Sequence, residues 1–221
     1  MDNFEKSWRR KINSQKEVCG SRRLIDLLTD ESLSEPQFTE NLIGLLKEEF
    51  GTERSIDILL GAACHYPHSE LALIRKEYAG SGKLETAHKL LQRKFDDFIE
   101  SLISEEKDIL AELKRRHWGL AGRLEGNKIF AAKIPKSVYL KEYFQETDPE
   151  KRRLLYCHCP RIRQYLEKSE IDPLYCYCGG GFYQDIWEYI TGKEVKVKLL
   201  KSITKGDDHC LFELQITEND I

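Results

Sequence analysis

Apolar residues recur at helical spacing through the first hundred or so positions. Phe4, Trp8, Ile12 and Val18 form a thin stripe amid heavy charge, and residues 20–29 carry Leu24, Ile25, Leu27 and Leu28. Phe38, Leu42, Leu45, Leu46 and Phe50 define one face of a helix that Ser34 caps, that holds Pro36 in its first turn and that Gly51 stops. Ile56 to Cys64 reads as a short helix, because Gly61-Ala62-Ala63 lacks β-branched residues; the Tyr66-Pro67 bond marks its end. Ala79-Gly80-Ser81-Gly82 reads as a loop. A long helix from about Leu84 to His117 follows, with a break near Ser104.

After Trp118 the period changes. Leu120–Leu124 and Lys128–Lys133 read as strands around the turn Glu125-Gly126-Asn127. Residues 137–151 are polar and fit either helix or loop. Gly179-Gly180-Gly181 precedes a helix that carries Phe182, Ile186 and Tyr189 and ends at Gly192. Val195, Val197 and Leu199 alternate with lysines, and Cys210, Phe212, Leu214 and Ile216 alternate with polar partners; Lys205-Gly206-Asp207-Asp208 joins these two strands. The pattern predicts an α+β fold: a helical region over 1–117, then a helix-decorated antiparallel sheet over 118–221.

Composition narrows the class. The chain has 221 residues, 40% hydrophobic and 33% charged, enough for a core of its own. No run of 18 apolar residues is present, which excludes a helical membrane span. Met1 to Lys16 is charged rather than leader-like, so a cytoplasmic setting is expected. Lys+Arg is 35 against Asp+Glu 38, a net charge of -3 that argues against general nucleic-acid binding.

The candidate chemistry lies in seven cysteines, an odd number with no export signal, which favours reduced thiols over a disulfide framework. Tyr156-Cys157-His158-Cys159-Pro160 is echoed by Tyr175-Cys176-Tyr177-Cys178-Gly179. On extended backbone, residues i and i+2 share a face, about 6.5–7 Å apart, at or past the limit for an unstrained disulfide. A turn at Pro160 or Gly179 would instead pinch each pair around a metal. Cys210 belongs to the core face of the last strand, and converging thiolates select zinc or an iron–sulfur centre. Cys176 and Cys178 also precede a helix, whose N-terminus favours a thiolate. Packing is the alternative for every one of these residues, since cysteine is among the most buried residue types; Cys19 reads as filler.

Other motifs are weaker. His65 and His68, three apart beside Cys64, are a candidate metal pair, although His65-Tyr66-Pro67-His68 is more simply a loop. Asp207, Asp208 and His209 are most simply turn chemistry. No Gly-Lys-Ser/Thr follows the glycine run, which rejects a P-loop.

The C-terminal third resembles a known family. Cys176-Tyr177-Cys178-Gly179-Gly180-Gly181-Phe182-Tyr183, a short helix, Gly192-Lys193-Glu194-Val195, a strand, and then Gly206-Asp207-Asp208-His209-Cys210-Leu211-Phe212 are similar to the 4-vinyl reductase-like domain family. They are also similar to thiazoline-carboxylate hydrolase-like proteins and to bacterial proteins sharing this tail. The resemblance covers about residues 118–217, and Gly61-Ala62-Ala63-Cys64 looks like an upstream Gly-x-x-Cys of the bacterial group. It implies an α+β fold shared with small-molecule sensor domains and vesicle-tethering subunits. In aromatic-sensing members, cysteines and a carboxylate hold zinc beneath a buried apolar pocket. Cys176 and Cys210 match two of those cysteines; a third falls on Ser202, and the carboxylate falls near Leu155–Cys159, where Cys157 and Cys159 stand instead.

The leading expectation is therefore a bacterial-type small-molecule-binding or sensor-type protein. Cys157, Cys159, Cys176, Cys178 and Cys210 would hold zinc, and Phe182, Tyr183, Ile186, Trp187 and Cys64 would meet a small apolar or thiol-derived ligand. The runner-up is a hydrolase of a small cyclic amide or amidine, with Cys178 or Cys176 as nucleophile or metal-water ligand and His158, His209 or Asp207 as base. The third is a structural or interaction subunit. A homodimer, with no nucleic acid and no membrane, completes the expected partners.

Overall fold

The computed structural model describes residues 3–16, 18, 20–159, 162–166 and 170–217. Cys19 and Pro160 lie outside them. In chain order the helices α1 (Asn3–Asn13), α2 (Arg22–Thr29), α3 (Glu35–Gly61), α4 (Ala72–Ser81), α5 (Leu84–Leu102) and α6 (Lys107–Arg116) come first. A hairpin of β1 (Arg123–Glu125) and β2 (Lys128–Ala131) follows, then α7 (Ser137–Gln145), α8 (Pro149–Tyr156), α9 (Tyr177–Thr191), β3 (Val195–Lys201) and β4 (Leu211–Ile216). The fold is α+β, as the change of period predicts.

Local chemistry explains most boundaries. Gly51 interrupts α3 with φ 72° and ψ 173°, so the expected stop is a kink between two helical stretches. The Ser21 side chain accepts the Leu24 N–H and caps α2. Ala79, Gly80 and Ser81, expected as loop, continue α4, and only Gly82 turns left-handed. His117 ends α6 in the left-handed region at φ 52°, and the chain is in a strand by Arg123. The polar stretch 137–151 becomes α7 and the start of α8, the latter capped by Asp148.

The chain divides into two compact units that do not follow its linear order. The first comprises Met1–Cys64 and Cys159–Phe182; the second comprises His65–His158 and Tyr183–Ile221.

In the first unit Trp8, Ile12, Leu24, Leu28, Phe38, Leu42, Leu46, Ile58 and Leu59 are buried. Trp8 packs on Phe38 and Tyr175, with ring centroids 6.4 and 5.5 Å away. Arg9 is 5% exposed; it donates to the Asp30 carbonyl at 2.8 Å and to Glu5 at 2.5 Å, and lies over the Phe38 ring. Two carbonyls around the end of α3 accept side-chain donors, Ile58 O from Gln15 at 2.8 Å and Ala63 O from Lys11 at 2.6 Å. Gly181 explains the glycine run, which forms the first turns of α9 and not a loop before it. A Cβ there would sit 2.1 Å from the Leu60 carbonyl oxygen and 2.8 Å from Ala63 Cβ, so only glycine permits this approach.

The second unit is built on an antiparallel sheet of order β1-β2-β4-β3. Ile129 pairs with Leu214, and Leu214 with Val197, so apolar residues of three strands share one face. Tyr183, Ile186, Trp187 and Ile190 form the buried face of α9 at helical spacing. The Tyr183 ring meets Phe212 at 6.1 Å, and its hydroxyl donates to the Gly119 carbonyl at 2.9 Å. Burying a side chain such as Ile186 contributes about 1.5–3 kcal/mol.

Candidate functional site

Three of the five cysteines expected to ligate zinc are placed by helices rather than by extended strands. Cys157 is the buried C-cap of α8. Cys176 ends a 3-10 turn over Pro173–Cys176, and Cys178 is the second residue of α9. Successive residues of a helix are rotated by about 100°, so i and i+2 point to different faces. The alternation that would gather sulfurs on a strand has no such effect at these helical positions. Cys159, Cys176 and Cys178 belong to the first unit, and Cys157 and Cys210 to the second. Within the first unit, these three do not form a group whose sulfurs all lie within 4.8 Å of one another. Cys178 Sγ instead accepts the Trp8 indole N–H at 3.3 Å, and Cys210, just before β4, offers its carbonyl to the Tyr156 hydroxyl at 3.2 Å.

The expected ligand-contacting residues are divided in the same way. Tyr183, Ile186 and Trp187 are core residues of the second unit, buried on one face of α9. Trp187 Nε1 is buried and has no hydrogen-bond partner among the described residues. Phe182 is half-buried in the first unit, and Cys64 is exposed just beyond α3.

The candidate bases have local partners. Asp207 accepts the Ser202 backbone N–H at 2.8 Å, the expected turn chemistry, while the buried Ser202 hydroxyl caps the 3-10 turn at Thr204. His158 bonds the Ile134 carbonyl through Nδ1. His209 donates from Nδ1 to Asp208 at 2.5 Å and lies against Trp118 and Tyr156. Partial burial pushes the Asp208 carboxyl up, but the bond and charge of His209 outweigh it and hold that carboxyl below its usual range. Burial pushes the Tyr156 and Tyr183 hydroxyls well up, and the nearby Cys210 adds to it, so both stay protonated and able to donate.

The donor group that does converge among the described residues is His65, His68 and Asp185, all in the second unit. Pro67 fixes the chain between the histidines, and His68 opens a 3-10 turn over His68–Glu70. Asp185 stands on α9 one turn before Tyr189, away from the face formed by Ile186, Trp187 and Ile190. His65 Nδ1 lies 2.7 Å from Asp185 Oδ1, and His68 Nε2 lies 3.1 Å from both Asp185 oxygens. The His68 ring stacks on Tyr189 with centroids 4.0 Å apart and planes at 20°, so α9 fixes both an edge and a face of that imidazole. The two histidine side chains are 52% and 45% exposed; Asp185 is 15% exposed. The exposed ion pairs themselves contribute at most about 1 kcal/mol each. Chemically, two imidazoles and a carboxylate form a nitrogen/oxygen donor set of the kind that suits zinc and neighbouring divalent ions.

Sequence reasoning found the two histidines and missed the aspartate. Asp185 lies 117 residues from His68, and its only local signal is a position off the apolar stripe of α9.

Residues 143–221 match the model of a family of unknown function (DUF6144), a stretch that includes Asp185 but neither histidine. No curated protein and no solved structure matches the chain. No helix among the described residues is long and apolar enough to cross a membrane.

Proposed function

We propose that this protein binds one divalent ion of the zinc class through His65 Nδ1, His68 Nε2 and the Asp185 carboxylate. The observation that carries this reading is that these three donor atoms all lie within 4.8 Å of one another. The donors are borderline and hard, which favours zinc, cobalt or iron(II) over the softer ions that thiolates select. To bind a metal, the two nitrogens that now donate to Asp185 must present a lone pair instead, with the ring proton on the other nitrogen. Three protein ligands leave a coordination position for water or a small molecule. That open position supports the small-molecule-binding role implied by the resemblance to 4-vinyl reductase-like domains, with the centre built from other residues than cysteines.

Titration of metal-stripped full-length protein with zinc, followed calorimetrically, tests the proposal. One zinc per chain is expected, with affinity at least about 100-fold weaker in Asp185→Asn and in His65→Ala/His68→Ala. Circular dichroism establishes that the metal-free variants fold. Undiminished zinc affinity in folded variants overturns the proposal.

A second reading rests on Trp187 Nε1, a buried donor without an acceptor among the described residues. An orphaned donor costs about 1–3 kcal/mol, and a small polar ligand that supplied an acceptor would recover it. Binding of such a ligand would quench or shift indole fluorescence, and Trp187→Phe would abolish the response.

A further inference from the structure

The surroundings of the His65–His68–Asp185 group carry a charge that the proposed ion would not balance. Arg75, on α4, lies over the Tyr189 ring with Cζ 4.8 Å from its centroid, and His68 stacks on that same ring at 4.0 Å. One tyrosine thus positions both a metal-facing imidazole and a guanidinium. Arg75 has no ion pair among the described residues, and its side chain is exposed.

Two acids close in sequence to these ligands already have partners. Glu70 is paired with Lys94 at 2.6 Å. Glu188, one turn beyond Asp185, turns to the Val195 backbone N–H at 3.1 Å, and burial pushes its carboxyl up. A divalent ion held by two neutral imidazoles and one carboxylate retains one positive charge, and Arg75 adds another. The complement of two cations held beside one tyrosine, one with an open coordination position and one with a planar fork of donors, is an oxyanion.

We infer that the centre takes a small carboxylic acid as its ligand, with carboxylate oxygen on the metal and a carboxylate oxygen on Arg75. The inference rests on the metal-binding reading above and deepens it by naming the ligand class. Tyr189 is a positioning residue: it touches His68 and Arg75, and the anion need not touch it. The match between guanidinium and carboxylate is bidentate and planar, so lysine is a poor replacement for Arg75.

Cobalt(II)-loaded full-length protein, titrated with succinate and followed in the visible d–d bands, tests this. Succinate is expected to perturb the bands of the wild type, with half-saturation at least about tenfold higher in Arg75→Gln and only partly restored in Arg75→Lys. Cobalt affinity in the absence of succinate should agree within about twofold between wild type and Arg75→Gln, because the arginine is not a metal ligand. Equal succinate half-saturation in wild type and Arg75→Gln overturns the ligand assignment while leaving the metal reading intact. Bands that do not respond to succinate in the wild type do the same. Failure of wild-type protein to take up cobalt overturns the metal reading, and the carboxylate inference falls with it.

Discussion

The Cys-X-Cys segments and the His-X-X-His segment are two short stretches in which ligand-type residues repeat. The first looks the stronger in sequence, yet it is the second whose donors meet. The difference is the match between spacing and backbone. A two-residue spacing gathers side chains on a strand and disperses them on a helix. Cys157 caps α8, and Cys176 and Cys178 straddle the junction between a 3-10 turn and α9, so their repeat is out of phase with their backbone. His65 and His68 are three apart around Pro67 at the entry of a 3-10 turn, where that spacing brings both rings to one carboxylate. A ligand motif is therefore informative only together with the local backbone that displays it.

The largest expected effect breaks or upholds this contrast directly. His65→Ala/His68→Ala should lose about 100-fold in zinc affinity, about 2.7 kcal/mol. The single serine variants of Cys157, Cys159, Cys176, Cys178 and Cys210 should each stay within about twofold of wild type in the same titration. A loss in any of the five would restore the sulfur reading.

Next is the packing that makes the second Cys-X-Cys segment helical. Gly181→Ala should destabilise the protein by about 1–3 kcal/mol or more in denaturant unfolding, because its Cβ would meet the Leu60 carbonyl at 2.1 Å. Gly80→Ala sharpens the point in the opposite direction. Gly80 is helical with open space around its Cβ, so alanine should stabilise by about 0.5–1 kcal/mol. A stabilising Gly181→Ala would show that the glycine run is not a close-packed helix start.

The smallest effect separates folding from metal binding on the pH axis. Hydrogen bonds from Arg115 and Arg116 hold the Glu112 carboxyl down at about 2. A depressed carboxyl contributes stability above its unfolded value, lost as pH falls from about 4.5 toward 2. At this surface network the contribution is a few tenths of a kcal/mol. Glu112→Gln should therefore flatten the acid limb of stability slightly and leave zinc affinity at neutral pH where it was.

Much of the fold was legible because period is a local property. The Phe38–Phe50 face, the break between α5 and α6, the Gly126 turn and the alternation of β3 and β4 all stand where the sequence pattern puts them. Composition misled at Gly80, where loop-like residues complete a helix that only Gly82 ends. It misled again at Tyr175–Cys178, where alternating aromatic and thiol side chains imitate a strand. The candidate site was half legible. Histidines three apart can be noticed in sequence, whereas Asp185 joins them only through the tertiary placement of α9.

X-ray absorption at the zinc edge of the stoichiometrically loaded protein asks the central question most directly, since it reads the ligand atoms themselves. Nitrogen and oxygen ligands alone are expected, at about 2.0–2.2 Å with imidazole scattering behind them. A sulfur shell at about 2.3 Å would contradict this and return the metal to the cysteines.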